Sequence, residues 1–273
     1  VPGSGVYLAS GAVIAVALLG FAASRAIPPA PATAPELRFN WNPFAETARV
    51  LRIVREDRTV FVAIIGISWF WFFGSVFTAQ LPNYTRVDLG GSESVSILVL
   101  ALFAIGTGTG SLLCEKLSRR RVEPGIVPLG AFGLSAFGID LFFARHAAPP
   151  AIDLDWSGFL GAPGSARIAT DLAMLGVSAG LFVVPLFALV QSRTAPSQLS
   201  RVIAGNNVIN AVFIVIAALG AIGLQSAGLT IPQVFLITAL LNALMAVYLF
   251  VRVPEFVARF VQWIRVRDAD REI

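Results

Sequence analysis

Carboxylates and amides set inside long apolar stretches are the residues of this chain best placed to do chemistry. Burying such groups in hydrocarbon is costly, so they persist where they are used or paired. Two carboxylates stand in such stretches, Asp140 and Asp171. Both fall near one end of their stretch, where snorkelling to the interface accounts for them better than proton carriage does. Asn206, Asn207 and Asn210 form the best polar cluster. Asn206 and Asn210 share a helical face at i, i+4. Uncharged amides there could bond a polar headgroup or simply tie two helices together. Gln80, Asn83 and Arg86 gather at the far end of another stretch, where Arg86 could attract a phosphate or be a solvated loop charge. Trp69 and Phe73, within the run Trp69-Phe70-Trp71-Phe72-Phe73, are four apart and could line a path for an acyl chain, although ordinary packing is the commoner use.

Other chemistry is harder to assemble. One cysteine, Cys114, and one histidine, His146, give neither an internal disulfide nor a Cys/His metal site. No glycine-rich phosphate loop, catalytic triad or histidine acid–base pair can be built. The expectation is a chain that is not an enzyme and holds no cofactor and no metal.

The elements that position these residues are seven stretches, Val6–Ser24, Val60–Gln80, Ser94–Cys114, Pro124–Ala144, Ile168–Ser192, Val202–Gln225 and Ile231–Val251. Each reaches the ~20 residues a helix needs to cross a bilayer. They are apolar all round, as lipid-facing helices must be. The chain is 56% hydrophobic with a mean hydropathy of +0.79, which leaves little for a water-soluble domain. The expected fold is all-α: a polytopic membrane protein with seven transmembrane helices.

Charge sets the expected orientation. Of the twenty lysines and arginines, only Arg86, Arg145 and Arg167 fall in one set of alternating connections. Basic segments resist translocation, so the other set is expected to be cytoplasmic, with the N-terminus outside and the C-terminus inside. The basic balance follows from this asymmetry and does not point to nucleic acid. The chain opens at Val1 without a basic leader, which reads as a fragment of a longer product.

The spans group as one plus six. A single helix occupies 1–24, and the connection over 25–59 begins as a Pro/Ala linker. It ends as an amphipathic helix, opened by Asn42-Pro43, with Phe44, Ala48, Leu51 and Val54 at near-helical spacing. A six-helix bundle follows over 60–252. Within it, Gly106-x-Gly108-x-Gly110, the pair Gly176 and Gly180, and Gly130, Gly133 and Gly138 offer small faces for close helix approach. Residues 253–273 form an expected interfacial tail, with Phe256, Phe260, Trp263 and Ile264 on one helical face.

The turn Ser111-Leu-Leu-Cys-Glu115-Lys116-Leu-Ser118-Arg119-Arg120-Arg121 resembles the signature of the major facilitator superfamily, with Ser for Gly and Glu for Asp. The resemblance implies that Glu115, Lys116, Arg119, Arg120 and Arg121 stabilise one conformational state of a carrier. An ordinary positive-inside turn is the other reading. The arrangement resembles helices six to twelve of that fold, which implies that the remaining N-terminal helices of the carrier are a partner. Gly180-Leu-Phe-Val-Val-Pro185 through Arg193, then Arg201 through Gly205-Asn206-Asn207-Val-Ile-Asn210, resembles the lysophospholipid transporters of the superfamily. The likeness is strongest to those fused to an acyltransferase and acyl–carrier-protein synthetase in bacterial phospholipid remodelling. It implies transport of lysophospholipid across a bacterial inner membrane, with membrane lipids as surroundings. The alternative it leaves open is a non-transporting anchor for a fused acyltransferase. Rhodopsins are set aside because the lone lysine, Lys116, lies in a turn. Receptors are set aside for want of paired extracellular cysteines.

Overall fold

The computed structural model describes residues 4–28, 42–119, 121–144 and 153–269. Most of the Pro/Ala linker, together with Arg120, Arg145 and His146, lies outside the described residues. The chain divides into two compact units, Val1–Asn40 and Trp41–Ile273. The first holds α1 (Ser4–Ser24), a single apolar helix.

The second unit begins with α2 (Pro43–Val54), whose first N–H groups find a partner in Asn42: its side-chain oxygen accepts from Phe44 and Ala45 N–H at 3.1 Å each. The buried residues of α2, Val50 and Val54, overlap the face its spacing suggested at Val54 alone. Val50 and Val54 press against Gly205 of a later helix, while Phe44 is 86% exposed. A glycine floor decides the docking, and no apolar count within α2 could reveal it.

Six long helices form the bundle: α3 (Arg58–Val87), α4 (Glu93–Leu117), α5 (Val127–Phe143, entered through a 3-10 turn at Pro124–Ile126), α7 (Ser165–Arg193), α8 (Leu199–Ser226) and α9 (Ile231–Arg252). With α1, seven helices among the described residues are long and apolar enough to cross a membrane. At ~1.5 Å per residue α3 runs about 45 Å, well past its apolar stretch. Its last turns carry Pro82 and a buried Tyr84. A short helix that the sequence did not suggest, α6 (Trp156–Gly161), is capped by Asp155 and buries Phe159. Its approach is pinned by Ser92 N–H to Leu154 C=O at 2.8 Å and Leu154 N–H to Gly90 C=O at 2.9 Å.

In hydrocarbon no hydrophobic force draws helices together, so close packing and hydrogen bonds must. The centre is α7, which packs on α4, α5 and α3. Gly106 and Gly110 of α4 lie on the α7 backbone at Ala173 and Val177, and Gly176 and Gly180 of α7 return the contact at Phe103 and Thr107. A side chain at any of the four would collide with backbone, so only glycine permits this crossing. Gly108 faces open space. On α5, Gly130 lies against the Phe182 backbone, Gly133 against Ser178 and Gly138 against Ala239. Between α3 and α9 an aromatic stack joins Phe73 to Phe77 at 4.6 Å and Phe77 to Phe235 at 4.3 Å.

The tail forms α10 (Glu255–Ala269), and part of its expected lipid face is turned to protein. Phe256 is fully buried, and the backbone at Arg259 and Phe260 lies on Gly125. Trp263 Nε1 donates to the Leu117 carbonyl at 3.2 Å. Glu255 joins this helix to the end of α7, accepting from Arg193 Nη2 at 2.7 Å.

Candidate functional site

The asparagines of α8 meet α3. Asn206 and Asn210 are both buried on the α3-facing side, one turn apart, and Asn207 is exposed. With the Asn210 amide turned so that each donor meets an acceptor, its nitrogen donates to Ser68 Oγ (2.7 Å) and to the Asn206 carbonyl (3.1 Å). Its oxygen then accepts from Asn206 Nδ2 (3.0 Å) and Trp71 Nε1 (3.2 Å). Asn210 is thereby saturated. Asn206, 3% exposed, keeps a buried side-chain oxygen that meets no donor among the described residues. A buried acceptor without a donor favours any hydroxyl or ammonium that can reach it. Trp71, 42% exposed, carries this cluster to the surface of the bundle.

Trp69 and Phe73 sit inside the bundle. The Trp69 indole donates to Asn242 Oδ1 at 2.9 Å, and Asn242 Nδ2 donates to the Ala131 carbonyl and to Ser135 Oγ, both at 2.9 Å. This network fastens α3, α9 and α5 together. Sequence reasoning passed over Asn242 and Ser68. The available signal was a single amide in the middle of an otherwise apolar span, the intramembrane polar residue that most needs a partner.

Gln80 is half-buried, and Asn83 and Arg86 are exposed, in the last turns of α3. Ser68 and Asn83 lie about 22 Å apart along that helix, so this group does not join the amide cluster. Between them, on the face toward α8 and α9, lies an apolar cleft of about 390 Å³, lined by Phe72, Val76, Ala217, Gly220, Val234 and Leu241 among others.

Of the two intramembrane carboxylates, Asp140 is exposed and Asp171 is buried. Arg167 of α7 grips Asp140 of α5 with two bonds, Nε to Oδ2 at 2.9 Å and Nη2 to Oδ1 at 2.5 Å. Asp171, one turn along α7 from Arg167, is 3% exposed, and its buried Oδ2 meets no donor among the described residues. The pair is exposed, with the Asp140 side chain about two-fifths accessible, and pairing with arginine adds to what holds the carboxylate at this end of its helix.

The signature turn closes α4. Ser118 caps the helix, its N–H returning to the Cys114 carbonyl at 2.9 Å. Arg119 follows with φ +51°, the left-handed position that glycine or asparagine usually takes after a helix end. Glu115, Lys116, Arg119 and Arg121 are exposed and share this one turn.

A bundle of apolar spans held by glycine seams, with uncharged amides within and cations at one end, defines a polytopic helical membrane protein. The chain belongs to the Major Facilitator Superfamily, whose sequence profile matches residues 3–217. It is similar to the lysophospholipid transporter LplT of Enterobacter sp. (strain 638), with 26% identity over 169 residues, covering 61% of this chain and 38% of that protein. The chain thus spans about two-fifths of the length of the curated relative it matches. No solved structure matches.

Proposed function

We propose that this chain is part of a secondary transporter that moves lysophospholipid across the bacterial inner membrane by alternating access. The supporting observation is the buried oxygen of Asn206, which meets no donor among the described residues, on the same helix as the apolar cleft between α3, α8 and α9. A lysophospholipid brings a free glycerol hydroxyl and one acyl chain, and those two features answer that acceptor and that cleft. A relative that is a lysophospholipid transporter supports the same substrate class. In this reading the remaining helices of the carrier complete the path, and the Glu115–Arg121 turn stabilises one access state.

The experiment is flux of labelled lysophospholipid into vesicles carrying the whole protein to which this chain belongs. Flux above that of protein-free vesicles is expected. Asn206→Ala is expected to lower it about fivefold, the worth of one buried hydrogen bond. A whole protein that folds yet gives no flux would overturn the reading in favour of a membrane anchor for a fused acyltransferase.

A further inference from the structure

Val253 and Pro254 separate α9 from α10, and proline lacks the N–H that would carry α9 onward, so the chain turns a corner here. The corner is fixed from within. Phe256 is fully buried and meets Phe250 of α9 edge-on, with ring centroids 6.5 Å apart. α9 arrives with a stripe of exposed apolar residues, Leu240, Leu244, Val247 and Val251, at i, i+4, i+7 and i+11. On a helix that crosses a membrane such a stripe faces lipid. α10 leaves the corner with Val257, Val261 and Ile264 at i, i+4 and i+7, each about two-fifths exposed. The apolar stripe of α9 is thus taken up again within six residues, on a helix that crosses nothing.

Angle sorts the residues of α10 into three sides. Phe256, Phe260 and Trp263 make the side turned to protein: Phe256 is buried, the backbone at Phe260 lies on Gly125, and Trp263 Nε1 donates to the Leu117 carbonyl at 3.2 Å. At 3.6 residues per turn, Val257, Val261 and Ile264 centre about 100° round from that side. Ala258, Gln262 and Arg265, all exposed, centre about 100° further on. A helix surrounded by water has no reason to sort its outer residues in this way. One that lies along a bilayer surface at the edge of a bundle does, because it meets protein, hydrocarbon and water in turn.

We propose that α10 lies in the interfacial layer of the bilayer, with Val257, Val261 and Ile264 as a lipid-contacting surface continuous with that of α9. The occupant of this face is phospholipid, not a second copy of the chain or another protein. Its protein side meanwhile holds the ends of three spans: Leu117 of α4 through Trp263, Gly125 ahead of α5, and Arg193 of α7 through Glu255 at 2.7 Å. The bilayer surface thereby reaches the turn between α4 and α5 through a helix that does not cross it. The inference does not depend on what the carrier moves.

The test is spin-label accessibility in the full chain reconstituted into phosphatidylcholine vesicles. Single cysteines at Val257, Val261 and Ile264 are compared with single cysteines at Ala258, Gln262 and Arg265, the buried Cys114 giving little background. Oxygen concentrates in hydrocarbon and a nickel chelate in water. The ratio of oxygen to nickel collisions is expected to be severalfold higher at the first three positions than at the second three. Equal ratios in the two sets would place the stripe in water, and shielding of the stripe from both reagents would place protein over it; either result overturns the proposal. A second measurement needs no substitution. A phosphatidylcholine carrying a diazirine in its acyl chain, photolysed with the unaltered chain, is expected to leave adducts on Val257, Val261 and Ile264 as well as on the exposed stripe of α9. Adducts on α9 with none on α10 would overturn the proposal independently of any variant's folding.

Discussion

Asn242 touches three helices with one amide, which makes it the most exacting residue in the bundle. Replacing it by leucine leaves the Trp69 indole N–H, the Ala131 carbonyl and Ser135 Oγ to find other partners in a water-poor interior. Asn242→Leu is therefore expected to destabilise the purified chain by about 1–2 kcal/mol, read as a lowered thermal midpoint in detergent. Adding Trp69→Phe to that variant should cost less than the same change in the unaltered chain, because the donor it removes is already orphaned. Equal costs in both backgrounds would mean that the bond contributes nothing. At this scale the sequence was partly legible. The i, i+4 relation of Asn206 and Asn210 survives as a shared buried face, because helical periodicity needs no tertiary information. The partners Ser68 and Trp71 did not show, since hydrogen bonding across more than a hundred residues leaves no local pattern. The partner of Asp140 did not show for the same reason: Arg167 lies on another helix, twenty-seven residues further on.

Glycine spacing separates the seam between α4 and α7 from its surroundings. Gly106 and Gly110 meet α7 backbone, whereas Gly108, rotated about 200° from each, meets nothing. Gly110→Val is expected to destabilise by about 2–3 kcal/mol through a forced backbone shift, and Gly108→Val to leave the thermal midpoint unchanged. Comparable losses at both positions would remove the seam. The short element α6 offers a different test. Asp155 accepts from Gly158 N–H at 2.7 Å and from Ser157 Oγ at 3.0 Å, which holds its carboxyl below the usual carboxylate range. The cap is thus fully present above the ordinary aspartate pKa of about 3.9 and is lost as pH falls through the lower folded value. Amide exchange over residues 156–161, corrected for its intrinsic pH dependence, should quicken only in that acidic window, and in Asp155→Ala at every pH. Helix existence was legible from hydropathy and helix starts from capping residues such as Asn42. Which face each helix turns inward was not. Lipid and protein interior are equally apolar, so periodicity cannot separate them, and α2 and α10 both turned on glycines in other elements.

All seven spans can be found in the sequence because length and hydropathy are enough to define a crossing, whatever the neighbours. Orientation is a further expectation, and the buried Cys114 makes it simple to test because it leaves a low labelling background. A cysteine at Ser226 should react with an impermeant reagent from outside intact cells, and one at Ser118 only after permeabilisation. The reverse pattern would invert the carrier. Assembly order adds a consequence in time. The glycine faces of α4 and α5 have one main counterpart, α7, and Gly176 is made seventy residues after Gly106. At ~5–20 residues per second, α4 waits roughly 4–14 s for it. Throughout that interval two finished helices stand in the membrane with their most intimate surfaces unmatched. The emergence of α7 is thus the moment at which this unit stops being separate spans, and a ribosome stalled before Ser165 leaves a chain for the cell's quality-control proteases to find.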